Sequence, residues 1–206
     1  ANMDRDLEIL SSVAAGNSPP TLRLYRWAPP ALSLGRFQKL EQVADLEACR
    51  RLGIDVVRRP TGGRAVLHHR ELTYSIIVPD SRSLIPEGIL PAYRFLNRAL
   101  LAAFNMLEIE TEQAPEKMRG PRLAPGSCFD SSSAYELRVA GKKVVGSAQL
   151  RRDGVLLQHG SILLELPLDI YRQVLRPGTG KNRADYIESL GREAAGLQDL
   201  GYKIGE

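Results

Sequence analysis

The chain has 206 residues, of which 43% are hydrophobic, and this is enough for one domain with a substantial core. Its formal net charge of +4 is modest and its arginines are spread along the chain, so nucleic-acid binding is not indicated. No apolar run approaches the roughly 20 residues of a membrane helix, and two cysteines without a secretory signal pattern favour reduced thiols and a cytoplasmic location.

The first part of the chain reads as short helices between short strands. Apolar spacing predicts a helix over 3–15, strands over 22–25 and 31–35, a helix over 40–52, and strands over 54–58, 65–68 and 72–78. The second of these helices carries Cys49 on its apolar face, where a free cysteine is normally inert. Residues 60–63 predict a tight turn between two strands, and its two glycines permit close backbone approach.

The second part of the chain alternates a long helix, strands and short helices. The pattern predicts an amphipathic helix over 89–107, a strand meander over 135–166, and helices over 169–175 and 184–200. Hairpin-connected strands grouped between helices indicate the α+β class, with a mixed, largely antiparallel sheet flanked by helices. We expect a single catalytic domain over residues 1–206, without an accessory C-terminal domain.

Two residue types outside the predicted core are candidates for chemistry. Cys128 lies in a loop rich in glycine, serine and proline, where a nucleophile can be exposed, but position alone fits a structural cysteine equally well. Lys143 follows in a predicted hairpin and, taken alone, is typical of a solvated charge. The three histidines, at 68, 69 and 159, lack the spacing of a zinc site, so no metal is predicted.

Four ordered tracts resemble the lipoate-protein ligase and octanoyltransferase family. They are Arg-Arg-Pro-Thr-Gly-Gly-Arg-Ala-Val-Leu-His at 58–68, Leu-Thr-Tyr-Ser at 72–75, Gly-Lys-Lys-Val-Val-Gly-Ser-Ala-Gln at 141–149 and Leu-Gln-His-Gly-Ser-Ile-Leu-Leu at 157–164. The chain start, Ala-Asn-Met-Asp, is similar to the helix that opens such proteins. The resemblance implies a biotin- and lipoate-ligase-like catalytic domain.

One branch of the family is similar in further detail. Cys-Phe-Asp at 128–130, Tyr-Glu-Leu at 135–137 and Gln158 before His159 resemble the cysteine-dependent octanoyltransferases of Gram-positive bacteria. The resemblance implies that octanoate passes from octanoyl-acyl carrier protein to Cys128 as a thioester. It then passes to a lysine of the glycine-cleavage H protein or of an E2 lipoyl domain, without a cofactor.

The resemblance also implies roles for individual residues. Cys128 would be the nucleophile, and Lys143 would contact the acyl carbonyl, where a cation stabilises developing negative charge. Val66 and Tyr74 would help to enclose the eight-carbon chain. The implied substrate-binding residues are Arg59, Thr61, Gly62, Gly63, Val66, His68, Tyr74, Gly146, Ser147, Ala148, His159 and Gly160. His159 is also compatible with a core hydrogen bond.

Three alternatives stay open at the level of sequence. An ATP-dependent lipoate-protein ligase would use ATP and Mg²⁺ and would leave Cys128 incidental. A second branch of the family moves octanoate between lipoyl-domain proteins and also uses a cysteine. A binding module would hold acylated carrier or lipoyl domains without any chemistry.

Overall fold

The computed structural model describes residues 2–113, 136–176 and 182–204. Within these ranges the helices are α1 (Asn2–Ala14), α2 (Leu40–Val43), α3 (Leu46–Arg51), α4 (Ile89–Met106), α5 (Leu168–Val174) and α6 (Arg183–Glu193). The strands are β1 (Thr21–Tyr25), β2 (Ala31–Leu34), β3 (Asp55–Arg58), β4 (Val66–His68), β5 (Glu71–Pro79), β6 (Glu112–Gln113), β7 (Leu137–Val139), β8 (Lys142–Arg152) and β9 (Val155–Leu163). The α+β prediction is confirmed.

The larger sheet is antiparallel throughout, with strand order β1-β5-β9-β8-β7-β6. Its centre is the hairpin of β8 and β9, whose turn places Asp153 and Gly154 at φ of 54° and 71°. A left-handed pair of this kind matches the twist of the flanking strands. The predicted meander over 135–166 is confirmed for the residues that the structure describes.

The smaller sheet has the order β3-β2-β4, with β2 parallel to β3 and antiparallel to β4. The turn predicted at 60–63 lies between two strands, β3 and β4, which both pair with β2 and not with each other. The loop therefore crosses the end of β2. There the carbonyl oxygen of Gly63 lies so close to Gly35 that a Cβ at Gly35 would come within 1.9 Å of it.

A hydrophobic core joins the smaller sheet to α3, α5 and α6. Leu32 and Leu67 pack there with Tyr171, whose hydroxyl accepts a hydrogen bond from the Leu67 amide at 3.0 Å. Cys49 belongs to this core, and burial, together with the charge of Asp45, raises the pKa of its thiol. A buried thiol with a raised pKa is a poor nucleophile, as the sequence predicted for Cys49.

Helix boundaries differ from the prediction in two places. The helix expected over 40–52 is interrupted after Val43, because the Asp45 side chain accepts a hydrogen bond from the Ala48 amide at 3.1 Å and starts α3. The helix expected over 184–200 ends at Glu193, and Ala194 then pairs with Lys143 of β8. The strand β6 was not predicted, since it is only two residues long.

Candidate active site

The centre of the large sheet forms one side of a pocket. Three strands run side by side there, so that Thr73 pairs with Ser161 and Ser161 pairs with Gly146. Next to this row, His159 lies between Ser75 and Ala148. Because paired residues of an antiparallel sheet point to the same face, both rows face the same side. The pocket holds about 350 Å³ of empty space, part of it open to solvent.

The small sheet forms the opposite side of the pocket through Ser33, Arg59, Val66 and His68, while Met3 of α1 closes one end. Arg59 is 5% exposed and its guanidinium donates to the backbone carbonyls of Ser33, Gly62 and Arg64. Arg59 thus holds the glycine loop against β2. The sequence at 59–63 forms this wall because glycine permits the close backbone contact and arginine bridges several carbonyls at once.

His68 is fixed in the pocket wall on three sides. Its Nδ1 lies 2.6 Å from the Glu71 Oε1 and its Nε2 lies 2.7 Å from the Ser33 Oγ. The indole ring of Trp27 stacks on its imidazole with ring centres 4.3 Å apart. The Trp27 Nε1 also donates to the Thr73 Oγ1 at 2.9 Å. The two hydrogen bonds and the stacked indole ring restrict the rotation of the His68 side chain.

A second buried network surrounds Asp6, which α1 carries into the pocket end. The Asp6 carboxylate pairs with Arg23 and accepts hydrogen bonds from Ser75 at 2.8 Å and from Tyr25 at 3.2 Å. The His159 Nδ1 lies 3.6 Å from the same carboxylate, and its Nε2 lies 2.6 Å from the Thr61 Oγ1. A negative charge beside Nδ1 favours the tautomer with its proton there, so Nε2 accepts from Thr61.

Burial and neighbouring charge act differently on the two members of this network. Burial alone would raise the pKa of Asp6, but the contacts from His159, Ser75 and Arg23 outweigh it and hold that pKa below its usual value. For His159 burial is the main influence, and with the cationic Arg59 nearby it lowers the pKa in spite of Asp6. Asp6 is therefore ionised and His159 neutral near pH 7.

Lys143 lies near the start of β8, three residues before Gly146, which lines the pocket. It is only 1% exposed, and its Nζ pairs with the carboxylate of Glu136, itself 7% exposed. This is not the solvated charge that is typical of a hairpin lysine. Two buried charges carry a large desolvation cost, and such pairs are common where a site needs a held charge.

Most of the predicted substrate-binding residues meet at this one pocket: Arg59, Val66, His68, Gly146, Ser147, Ala148, His159 and Gly160 line it. Thr61 does not line the pocket but contacts His159, which does. Gly62 likewise contacts the pocket residue Arg59, from which its carbonyl accepts a hydrogen bond. Gly63 instead contacts Gly35. Tyr74 packs in a different cluster, with Phe104 of α4, and its hydroxyl lies 2.7 Å from the Ser147 Oγ. Cys128 lies outside the described residues.

Sequence reasoning missed several residues of this region. Met3, Ser33, Thr73 and Ser161 line the pocket without having been singled out. Asp6 was missed as well. An acidic residue three positions after Met3 lies on the same face of the predicted helix, and a charge on an apolar face is a usable signal. Ser33 and Thr73 could not be found in this way, because short hydroxyl side chains in strands are common everywhere.

One family model matches the part of the chain that contains every described residue of the site. The family model for the lipoyl protein ligase A/B catalytic domain matches residues 1–204. The chain belongs to this family. An octanoyltransferase LipM of Geobacillus kaustophilus is 49% identical over 206 residues, a match that covers 97% of this chain and 73% of the relative. A LipM of Clostridioides difficile is 41% identical and covers 98% and 76%.

Solved structures of more distant proteins share the family fold. A bipartite lipoate protein ligase of Thermoplasma acidophilum superimposes with a TM-score of 0.74 at 23% identity, covering 98% of this chain and 73% of that one. A lipoate-protein ligase A bound with ATP gives a TM-score of 0.75 at 24% identity, covering 98% and 72%. At these identities the likeness establishes the lipoate-protein ligase fold alone. No helix in the described ranges is long and apolar enough to cross a membrane.

Proposed function

We propose that this protein takes octanoate from octanoyl-acyl carrier protein as a thioester on Cys128 and passes it to a lysine of a lipoyl-domain protein. The chain is an octanoyltransferase of lipoate biosynthesis, as are its LipM relatives at 41–49% identity over nearly its full length. The observation that supports the finer mechanism is Lys143, a cation held in the protein interior three residues before Gly146 of the pocket wall.

In the first half-reaction the Cys128 thiolate attacks the thioester carbonyl of the donor. A C–S bond forms to Cys128, the bond to the carrier's phosphopantetheine sulfur breaks, and that sulfur leaves as a thiolate. The Lys143 ammonium stabilises the negative charge that develops on the carbonyl oxygen, and its charge also favours the thiolate form of a nearby cysteine. The reduced thiol that this step needs fits the predicted cytoplasmic location.

In the second half-reaction the neutral ε-amine of the acceptor lysine attacks the octanoyl thioester. The amide bond forms, the Cys128 sulfur leaves as a thiolate, and the proton that the amine gives up returns this thiolate to the thiol. We propose the glycine-cleavage H protein or an E2 lipoyl domain as acceptor. The octanoyl chain would occupy the pocket between the two sheets, where Val66, Gly146 and Gly160 present little polar surface. The route consumes no nucleotide.

The decisive experiment is intact-mass analysis after incubation with octanoyl-acyl carrier protein. The wild-type protein should gain one octanoyl group that hydroxylamine removes, and Cys128→Ser should gain none. Cys49→Ala is the matched control, because the other cysteine is buried in the core and should leave acylation unchanged. Normal octanoyl transfer by Cys128→Ser, or lipoate attachment that requires ATP, would contradict the mechanism.

A further inference from the structure

A second cavity lies on the far side of the pocket wall. It is an open, polar cleft with about 700 Å³ of empty space, against about 350 Å³ in the pocket. The turn between β4 and β5 and the chain after β9 line it, with Gln198 at one edge. None of the residues implied by the family resemblance lies in this cleft, so its chemistry is not explained by the acyl pocket.

Glu71 stands between the two cavities. Its Oε1 contacts His68 and Thr73, which line the pocket, while Glu71 itself also lines the cleft. The side chain is nine-tenths or more buried, at 2% exposure for the residue, and its Oε2 has no hydrogen-bond partner within the described part of the chain. A buried acceptor without a partner costs free energy unless a donor from a ligand or water reaches it.

The pocket and the cleft follow one another along β9 and the residues after it. The pocket lies over residues 159–161 and the cleft is lined by Leu164 and Glu165, directly after the strand ends. Residues 194–198 link Lys143 to the cleft: the Ala195 amide donates to the Lys143 carbonyl at 3.2 Å, and the amide of Gln198, which lines the cleft, donates to the Leu164 carbonyl at 2.9 Å. An acyl thioester with its carbonyl near Lys143 and its alkyl chain in the pocket would then have the cleft open to its thiol arm.

The charged groups of the cleft can bind an anion and an amide group at the same time. Arg70 pairs with Glu165 at 2.5 Å, whereas Arg26 has no ion-pair partner among the residues that the structure describes. An exposed, unpaired guanidinium at the mouth favours a phosphate, which it can bind through two parallel hydrogen bonds. Deeper in the cleft, the Glu71 Oε2 can accept an amide N–H. A chain with a phosphate at one end and amides before its sulfur has both features.

We propose that this cleft binds the phosphopantetheine arm of the acyl donor, with Arg26 on the phosphate and the Glu71 Oε2 on an amide N–H of the arm. The inference rests on the proposed function, since it assigns the path by which that donor enters. It makes Arg26 a binding residue for the first half-reaction only, because the acceptor lysine carries no phosphate.

The test compares two small donors that differ only in the phosphate, octanoyl-phosphopantetheine and octanoyl-pantetheine, in single-turnover acylation followed by intact mass. Arg26→Gln should lower kcat/KM for the phosphorylated donor about tenfold relative to the phosphate-free donor, and Arg26→Lys should restore part of the loss. Arg82→Gln is the matched control, because Arg82 is a comparably exposed arginine whose ion pair lies beyond the other end of β5. It should not change the ratio.

The outcomes separate the two proposals. An equal effect of Arg26→Gln on both donors, or no effect on either, would overturn the assignment of the cleft while leaving octanoyl transfer intact. Failure of the wild-type protein to acquire an octanoyl group from octanoyl-acyl carrier protein would overturn the proposed function, and the cleft assignment with it. Thermal unfolding of each variant confirms that the compared proteins are folded.

Discussion

Two groups of buried charge lie near the pocket, the Asp6 end on α1 and the Lys143 end on β8, and they bury charge in different ways. At one end Asp6 is surrounded by Arg23, Tyr25, Ser75 and His159, so each carboxylate oxygen is compensated and α1 is tied to the sheet. At the other end Lys143 faces Glu136 across a buried ion pair next to the region where the acyl carbonyl is proposed to lie. Burial of charge thus marks both a structural network and a candidate catalytic group, and only their partners distinguish them.

The largest effect is expected at the Lys143 end. Lys143→Met should lower the rate of acyl-enzyme formation by about 10³-fold, because the cation that stabilises the carbonyl oxygen is lost. The same change leaves the Glu136 carboxylate buried without its described cation, which costs about 3–5 kcal/mol of stability. Single-turnover acylation and chemical denaturation measure the two effects separately.

A double variant separates stability from catalysis at this end. Lys143→Met with Glu136→Gln should recover much of the stability and none of the activity, because the uncompensated charge is gone but the cation is still missing. Lys142→Ala is the control, because Lys142 is the neighbouring lysine and its side chain only donates a hydrogen bond to the Gly191 carbonyl. Recovery of acylation in the double variant would show that Lys143 acts through packing and not through its charge.

At the Asp6 end we expect a substitution to lower the stability of the fold and to have little effect on the acylation rate. Asp6→Asn removes the charge that Arg23 and His159 face, and should lower the free energy of unfolding by about 3 kcal/mol. Acylation by the folded fraction should change less than tenfold. Urea denaturation and single-turnover acylation test this, and a variant that is stable but inactive would place Asp6 with Lys143.

Between the two ends, Gly160 is expected to be sensitive to size. A Cβ there would lie 2.7 Å from a ring carbon of Tyr74 and 2.7 Å from the Gly146 carbonyl oxygen. Gly160→Ala should therefore cost about 2 kcal/mol through overpacking. Gly62→Ala is the steric control, since nothing lies within 4 Å of a Cβ at that position. Equal unfolding midpoints for the two variants would contradict the close packing described for β9.

The smallest effect is a pH dependence that belongs to the Asp6 end alone. The folded pKa of His159 lies below its ordinary value of 6.5, so the unfolded state takes up protons first on acidification and stability falls as the pH drops below 6.5. Asp6, whose pKa lies below 3.8, adds a second loss as the pH falls from 3.8 through its folded pKa. Denaturation across pH 4–7 should show the first loss, and His159→Gln should remove it.

The sequence was sufficient for the parts of the site that depend on local pattern. Arg59, Val66, His68 and Gly160 lie in tracts whose order resembles a known family, and the structure brings them to one pocket. Strand periodicity likewise predicted β8 and β9, because alternation with a period of two is a local property. The sequence also predicted the glycine-rich turn, but it did not predict that the two strands on either side of this turn both pair with a third strand.

Sequence reasoning could not predict what depends on distant partners. Lys143, taken alone, reads as a surface charge, and only the structure shows Glu136 beside it. Only the structure shows that Tyr74 packs with Phe104 of α4 while its hydroxyl contacts Ser147 of the pocket wall. Glu71 contacts His68 and Thr73 of the pocket wall and also lines the cleft. None of these contacts follows from the spacing of residues along the chain.

The sequence by itself therefore determined the fold class, the family and most of the pocket lining, because those depend on periodicity and on motifs within single elements. Only the tertiary structure decided which charges are buried and with which partners. It also placed the pocket and the cleft one after the other along β9 and the residues that follow it. The physical reason is that the cost and the use of a buried charge depend on groups that the sheet register and helix packing bring together from far apart in the chain.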